Sequence, residues 1–428
     1  MERTYIKDVT PGIHRVCGFV ENFRNKRTMA FIVVKDITGK LQITVEKEKH
    51  PEMLEMLDRL TIHSVVSFEG EVVLSEYVKL GGKEMYPTAM KIESVADALP
   101  IKDDSDIDVK MDYRWIDLRR EKNQLMLEMQ TTLTASLREF LLSKNFVEIH
   151  TPKLIAAASE SGSDVFEVKY FDTKAYLAQS PQFYKQMAMA SGLERIFETG
   201  PVFRAEKSYT NKHATEFTGF DLEFSYIDSF EDVMKMEEEL LAFAFAKVAE
   251  KHGERVKELF GLDVIVPTLP FPRMKLADVY AELEERYGYK VPDELKGDLT
   301  TEAERMTKQL CADKFGHEFL FITDYDAKER AFYHMRDEQG IPQGYDLIWR
   351  GVEITTGAQR EHRYDILKAQ AEEKGLAEDV KFYLEFFKYG CPPHGGFGLG
   401  IDRLTMLFLG LSIKEAEFLF RGPNRLTP

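Results

Sequence analysis

The sequence predicts an α+β protein, with a small N-terminal β-barrel followed by a larger domain whose antiparallel sheet is flanked by helices. Three observations lead there. Over the first hundred or so residues, short runs of alternating apolar and polar residues are broken by glycine-bearing turns. At Leu99-Pro100 and the acidic run Asp103-Asp104-Ser105-Asp106 the composition changes and reads as a solvated hinge. From Met126 onward, apolar residues recur first at helical spacing and then in strands interrupted by helices. The expected units are a barrel over 1–100, a hinge over 101–125 and a large domain over 126–428.

In the barrel, strands are expected at Val16–Val20, Phe31–Val34 and Leu41–Val45. In the last of these Leu41, Ile43 and Val45 alternate with Gln42 and Thr44, which gives one buried and one wet face. A helix follows at Glu52–Leu60, then strands at Val65–Leu74 and Met85–Val95, with turns at Thr38-Gly39 and Gly81-Gly82. Five strands with a helix between the third and fourth match a Greek-key barrel of the oligonucleotide-binding type, the OB-fold, whose wet face and loops bind nucleic acid. A generic docking barrel is the alternative.

In the larger domain, Leu133, Leu137, Phe140 and Leu141 form the buried stripe of a helix that ends near Lys144-Asn145. Strands are expected at Phe146–Ile149, Ala175–Ala178, Arg195–Phe203 and Thr218–Ile227, then a long helix at Phe230–Glu250. The stretch from Lys257 to Asp313 is mixed, with several prolines and acidic helices. Further strands are expected at Phe319–Ile322, Ala331–Met335 and Tyr345–Thr355, a helix at Gln359–Lys374, and a glycine-rich turn into a helix from about Asp402.

The formal net charge of −16 argues against a protein that grips nucleic acid over its whole surface, but not against a local basic face. Cys17, Cys311 and Cys391 have no CxxC spacing, so neither a zinc site nor a disulfide framework is expected, which points to a reducing compartment. The N-terminus has no apolar signal region and no long apolar run follows, so a cytoplasmic protein without a membrane segment is expected. No GxxxxGK[ST] occurs, and no βαβ unit with GxGxxG opens the chain.

The residues that could do chemistry fall in five places. Phe203-Arg204-Ala205-Glu206 ends a strand, and Gly398-Leu399-Gly400-Ile401-Asp402-Arg403 is a glycine-to-helix junction. Their two arginines suit a bent ATP, one guanidinium on the α-phosphate and one on the γ-phosphate, because the planar fork binds phosphate oxygens bidentately. In Glu353-Ile354-Thr355-Thr356-Gly357-Ala358-Gln359-Arg360, simple alternation puts Glu353 and Thr355 on one face, with Thr356 near the strand's end. A carboxylate with a hydroxyl nearby makes a hard oxygen site suited to Mg²⁺; a solvated sheet edge is the bland alternative. In Gln179-Ser180-Pro181-Gln182-Phe183-Tyr184-Lys185, a helix cap at Ser180 and Pro181 explains the first residues but leaves Lys185 over. Lys212 and His213 lie in a polar loop that could close over phosphates, although a lone loop histidine is more often simply exposed. Cations, a carboxylate and amides suit positioning and electrostatic stabilisation of a phosphoryl or adenylyl centre; nothing resembles a covalent nucleophile.

Taken in order, these segments resemble the class II aminoacyl-tRNA synthetases, and specifically the compact archaeal and eukaryotic aspartyl-tRNA synthetases, over essentially the whole chain. Phe146-Val147-Glu148-Ile149-His150-Thr151-Pro152 is similar to the first class II motif, Phe203 to Glu216 to the second and Gly396 to Arg403 to the third. The resemblance implies activation of L-aspartate by ATP to an aspartyl-adenylate, then transfer to the 3′-terminal ribose of tRNA-Asp, with tRNA-Asn left open, by a homodimer whose interface is built from the first motif. It implies that Arg204 binds the α-phosphate and the amino-acid carboxylate, Glu206 the adenine amino group, Lys212 and His213 the phosphates, and Arg403, beside Gly400, the γ-phosphate. Glu353 and Thr356 would hold Mg²⁺, with Thr where related enzymes usually carry Ser. Glu160, in a loop that closes over the substrate's amino group, and Gln182 would contact aspartate. Thr356 would line the same pocket.

A buried aspartate carboxylate needs cationic partners, and Lys185 and Arg360 provide two. Asparagine would leave one of them unpaired, at ~3–5 kcal/mol. Asparaginyl-tRNA synthetases, which the chain also resembles, generally lack the lysine matching Lys185, so aspartate is the expected substrate. An asparaginyl enzyme and a synthetase-like RNA-binding paralogue that has lost charging are the competing readings. On the barrel, Phe31 and Gln42 match anticodon-reading positions, although Phe31 lies in an apolar run and could be core, and Arg24, Lys26 and Arg27 form a basic patch.

Overall fold

The computed structural model describes residues 1–156, 164–205 and 207–428. Glu160 and Glu206 lie outside the described residues. The chain divides into two compact units, Met1–Asp117 and Leu118–Pro428.

The first unit is built on strands β1 (Gly12–Asn25), β2 (Met29–Asp36) and β3 (Gly39–Glu46), helix α1 (Leu54–Arg59), and strands β4 (Val65–Leu74) and β5 (Lys83–Ser94). They close into a barrel in the order β1-β2-β3-β5-β4. Burial alternates strictly along β2: Ala30, Ile32 and Val34 are fully buried, whereas Phe31 and Val33 face outward. Phe31 is therefore not a core residue, despite its apolar neighbours. The segment expected to be a hinge carries α2 (Ile107–Asp112) and α3 (Arg114–Asp117). Asp106 caps α2 by accepting from the Asp108 N–H, and Arg114 and Asp117 form a buried ion pair at 2.6 Å. Part of the acidic run thus serves as a helix cap.

The second unit begins with α4 (Glu121–Ser143), five residues ahead of the position expected from its stripe. Strands β6 (Val147–Glu148), β7 (Leu154–Ile155), β8 (Glu167–Tyr170) and β9 (Thr173–Leu177) precede α5 (Gln182–Ala190). Then come β10 (Arg195–Phe203), β11 (Glu216–Ser225) and α6 (Phe230–Phe260). After α6 follow β12 (Arg273–Lys275), α7 (Leu276–Tyr287), α8 (Thr301–Phe315), β13 (Phe319–Thr323), β14 (Gly344–Trp349) and β15 (Val352–Arg360). Helices α9 (Tyr364–Glu373) and α10 (Lys381–Glu385), strand β16 (His394–Gly400) and helices α11 (Ile401–Leu409) and α12 (Ile413–Ala416) complete the unit.

The main sheet runs β12-β13-β14-β15-β16-β11-β10-β6. Its central strands, β13 to β10, are antiparallel as expected, but β12 and β6 join the edges in parallel, so the sheet is mixed. One core joins α4, α6 and α11 to this sheet, and the stripe of Leu133, Leu137, Phe140 and Leu141 is buried within it. Helix α6 overruns its expected end by ten residues: Ser229 and Asp232 form a capping box, and the helix stops only at Gly261, which takes φ 72°. The mixed stretch around α7 and α8 has its own core, in which Val279, Leu283, Leu310 and Cys311 pack with Leu320 and Ile322 of β13.

Three expectations are corrected here. The single strand Tyr345–Thr355 is a hairpin, β14 and β15, turning at Arg350-Gly351, where both residues take positive φ. The helix expected from Gln359 starts only at Tyr364, because β15 pairs with β16 as far as Arg360. Ala331–Met335 is a loop, held by a single bridge between His334 and Arg360.

Candidate active site

The central strands and the ends of α5 and α11 enclose a cavity of about 530 Å³. Its walls include Gln182, Lys185, Arg204, Lys212, His213, Glu353, Thr356, Arg360, Gly400 and Arg403, so the candidate residues of the large domain, Glu160 and Glu206 apart, converge on one space.

At one end, Lys185 projects from α5 and is 2% exposed. Its Nζ lies 3.0 Å from Asp221 Oδ1 and 3.4 Å from Glu223 Oε2. Arg360, also 2% exposed, donates from Nε to Glu223 Oε1 at 2.9 Å and from Nη2 to the Gly396 carbonyl at 2.8 Å. Burial alone would raise the Glu223 carboxyl, but Arg360 and Lys185 outweigh it and hold the group below the usual carboxylate range. The two cations are therefore already matched by two resident carboxylates, which sequence reasoning missed. Asp221 and Glu223 stand two apart on β11, and that spacing in an otherwise apolar strand was the available signal. Opposite them on β16 sit Gly398 and Gly396, and a Cβ at either would come within 2.5 Å of a carboxylate oxygen of Asp221 or Glu223. Ser180 accepts from the Gln182 N–H at 3.1 Å, so it satisfies the start of the helix from one position ahead of the N-cap, which is Pro181. The Gln182 amide nitrogen donates to Gln186 at 2.7 Å, and Gln182 lines the cavity.

At the other end, the expected face of β15 is overturned by a bulge. Leu347 pairs with Thr355 and Ile348 with Glu353, so Ile354 is the extra residue. Parity shifts there: Glu353 and Thr356 share a face, with Thr356 Oγ1 3.1 Å from Glu353 Oε1. Thr355 turns to the opposite face, where its hydroxyl and that of Tyr345 donate to the fully buried Glu237. Thr356 Oγ1 also lies 2.9 Å from Oδ1 of Asp346, which Arg330 grips bidentately at 2.7 and 2.6 Å. One hydroxyl has one proton to donate, yet it faces two carboxylates. Burial and the neighbouring Asp346 push the Glu353 carboxyl up to about 7, against the pull of Arg403 and Arg330. Two carboxylates and a hydroxyl in this state fit a hard divalent cation that takes its remaining ligands from phosphates and water. Among the described residues no group of three or more His, Cys, Asp or Glu side chains could hold a metal by itself. Asp346 was invisible in the sequence because a single strand was expected where the hairpin folds it against Thr356.

Between these ends lie the arginines. Arg204 follows β10, is exposed toward the cavity, and has no side-chain partner among the described residues. Arg403, in the first turn of α11, donates to the backbone carbonyls of Glu353 (2.8 Å) and Lys212 (3.5 Å), which orient its guanidinium, and among the described residues it forms no salt bridge. His213 Nδ1 contacts the hydroxyls of Ser208, at 3.1 Å, and Thr210. Lys212 lines the cavity, but its ammonium is held by Glu304 at 2.7 Å. Buried His334 also lines the wall; burial, then Arg360, keeps its imidazole neutral.

On the barrel, the Arg24 guanidinium stacks over the Phe31 ring, 5.4 Å from its centroid, and Lys26 and Arg27 are exposed at the adjoining turn. Gln42 donates to Glu84 at 3.3 Å and to Thr44 at 3.2 Å, which fixes its amide on the outer face.

Residues 106–420 match the family of class II tRNA synthetases (D, K and N), and residues 14–93 match the OB-fold nucleic acid binding domain. The chain belongs to the class II tRNA synthetases. It is 43% identical to an aspartate–tRNA(Asp/Asn) ligase of Methanopyrus kandleri, with both chains covered in full, and 38% identical to an aspartate–tRNA(Asp) ligase of Pyrococcus furiosus, covering 97% of this chain and 96% of that one. The crystal structure of asparaginyl-tRNA synthetase from Pyrococcus horikoshii complexed with asparaginyl-adenylate is similar over 100% of both chains, with a TM-score of 0.91 and 31% identity. Among the described residues, no helix of this synthetase is long and apolar enough to cross a membrane.

Proposed function

We propose that this synthetase attaches L-aspartate to tRNA through an aspartyl-adenylate. The observation that carries the choice of amino acid is the buried set Lys185, Arg360, Asp221 and Glu223. Held in place by Asp221 and Glu223, Lys185 and Arg360 still have N–H donors to offer a substrate carboxylate in a nearly dry pocket, and a neutral amide in its place would lose those charge-assisted contacts. The relatives named above are aspartate ligases, which supports the same choice over the asparaginyl alternative suggested by the structural neighbour.

In this reading an oxygen of the aspartate α-carboxylate attacks the α-phosphorus of ATP and pyrophosphate departs. A ribose hydroxyl at the tRNA 3′ end then attacks the activated carbonyl and AMP departs. The residues of the chain act by position and charge. Arg204 takes the α-phosphate and the amino-acid carboxylate; Arg403 takes the γ-phosphate, with His213 on the wall of the same cavity and Gly400 opening α11 toward the nucleotide. The Gln182 carbonyl oxygen accepts from the substrate ammonium. The family resemblance assigns the same ammonium to Glu160 and the adenine amino group to Glu206. Glu353 and Thr356, with Asp346 behind them, would hold Mg²⁺, which would supply positive charge to offset that of the phosphates. On the barrel, Phe31 stacks an anticodon base, Gln42 reads its edge, and Arg24, Lys26 and Arg27 hold the backbone. Leu142, Val147 and Leu154, exposed around the first motif, are apolar surface that a second copy would cover in a homodimer. A cytoplasmic enzyme fits the three unpaired cysteines.

The test is a two-by-two charging assay, tRNA-Asp and tRNA-Asn each offered labelled aspartate and labelled asparagine with ATP and Mg²⁺. Aspartate on tRNA-Asp is expected. Aspartate also on tRNA-Asn would assign the enzyme to the dual-specificity group, whereas asparagine on either tRNA, or no charging at all, would overturn the proposal.

A further inference from the structure

We propose that Glu304, on helix α8, is a positioning residue for ATP: it anchors the loop that follows Arg204 through Lys212, and so gives the segment between α6 and β13 a part in the reaction. The inference rests on the reading that this cavity takes ATP.

Glu304 lies in the first turn of α8, where the helix N-terminus favours a carboxylate and Thr300 caps the turn by accepting from the Ala303 N–H at 3.2 Å. It is 7% exposed. One oxygen accepts from the backbone N–H of Glu353 at 2.8 Å, and both accept from Lys212 Nζ at 2.7 Å. A single carboxylate therefore joins three parts of the chain that are remote in sequence: helix α8, the loop that follows Arg204, and the strand that carries Glu353.

The helix is the fixed partner in this contact. Leu310 and Cys311 of α8 are buried in a core shared with β13, and the backbone of Arg305 lies so near Gly351 that a Cβ there would come within 2.8 Å of the Arg305 carbonyl. Near the tip of the loop, three contacts to the rest of the domain stand out among the described residues. The Asn211 carbonyl accepts from Ile413 N–H at 2.9 Å, the Lys212 carbonyl accepts from Arg403 at 3.5 Å, and the Lys212 ammonium meets Glu304. Removing the last of these frees the segment next to His213 and loosens the carbonyl that orients Arg403. An ammonium held by both oxygens of a buried carboxylate has little charge left for phosphate. Lys212 thus acts through Glu304, as a tether, while Arg204 and Arg403 meet the nucleotide.

The experiment is hydrogen–deuterium exchange on the ligand-free full-length protein, paired with ATP–pyrophosphate exchange, for wild type, E304Q, K212M and the double variant. E304Q removes the charge that holds Lys212, while its amide oxygen still accepts from the Glu353 N–H, and thermal melting checks that the fold survives. Backbone exchange over residues 207–215 should accelerate about tenfold in each single variant and no further in the double, the signature of one shared contact. The KM for ATP should rise about tenfold in all three, with kcat and the KM for aspartate within about twofold of wild type. Unchanged loop exchange in E304Q would overturn the proposal. So would a KM for ATP that worsens further when K212M is added to E304Q, which would make Lys212 a direct phosphate ligand. If the wild type supports no ATP–pyrophosphate exchange, the assignment of ATP to the cavity fails, while the loop measurement still decides whether Glu304 holds Lys212.

Discussion

Replacing Lys185 with alanine tests the amino-acid pocket most directly. In the native pocket Lys185 and Arg360 offset Asp221 and Glu223, all within one contact shell and at most 8% exposed. Without the lysine, Arg360 alone faces two carboxylates, and a substrate carboxylate would enter a site of net negative charge. Leaving a buried charge uncompensated costs ~3–5 kcal/mol, equivalent to a loss of about two to nearly four orders of magnitude in kcat/KM for aspartate. ATP meets Arg204 and Arg403 at the other end of the cavity, so its KM should change by less than about threefold. ATP–pyrophosphate exchange with each substrate varied in turn measures both. The charge argument makes a second demand: adding D221N to K185A restores a neutral pocket and should recover part of the lost activity, on the order of tenfold. Equal losses for aspartate and ATP, or a double variant worse than K185A, would refute the reasoning.

Two further outcomes follow from other parts of the molecule. Changing Arg24, Lys26 and Arg27 together to alanine should weaken tRNA charging and reduce its log–log salt slope by about 2, while pyrophosphate exchange stays unchanged; an equal fall in exchange would mean that the turn only supports the fold. Glu237, buried beneath the hydroxyls of Thr355 and Tyr345, has its carboxyl pushed up to about 8 by burial. Between about 4.5 and 8 the folded state thus holds a proton that the unfolded chain has lost, so this group's contribution to stability falls as pH rises through that window and is flat above it. Urea unfolding from pH 5 to 9 should show a steeper decline for wild type than for E237Q, and parallel profiles would contradict the assignment.

How far the sequence could be read depended on whether the deciding signal was local. Strand β4 matches its expected bounds because ten residues alternate between two turn signals. The cavity residues Arg204, Glu353, Arg360 and Arg403 were legible because each sits in a short segment with its own pattern. The bulge at Ile354 was not, since it is a property of a pair of strands: only the register of β14 against β15 reveals the extra residue. Glu304 was hidden for the same kind of reason, because nothing near it in the chain points to Lys212 or Glu353. Helix α6 outran its expected end because no proline or glycine stops it before Gly261, apart from Gly253, which the surrounding helix absorbs.

The glycines of β16 have a consequence for how such sequences vary. Neither Gly396 nor Gly398 takes positive φ, so neither is there for backbone freedom. Gly398 is the imprint of the Asp221 carboxylate directly across the ladder, whereas at Gly396 a Cβ would meet the Leu222 backbone carbonyl before the Glu223 carboxylate. Positions 221 and 398 should therefore co-vary as a pair: a relative that trades the acid at 221 for a smaller residue gains room for alanine at 398, and one that keeps the acid does not. A glycine-rich third motif on this strand then reports the charge of an amino-acid pocket one strand away, and the two substitutions would have to be made together when that pocket is redesigned.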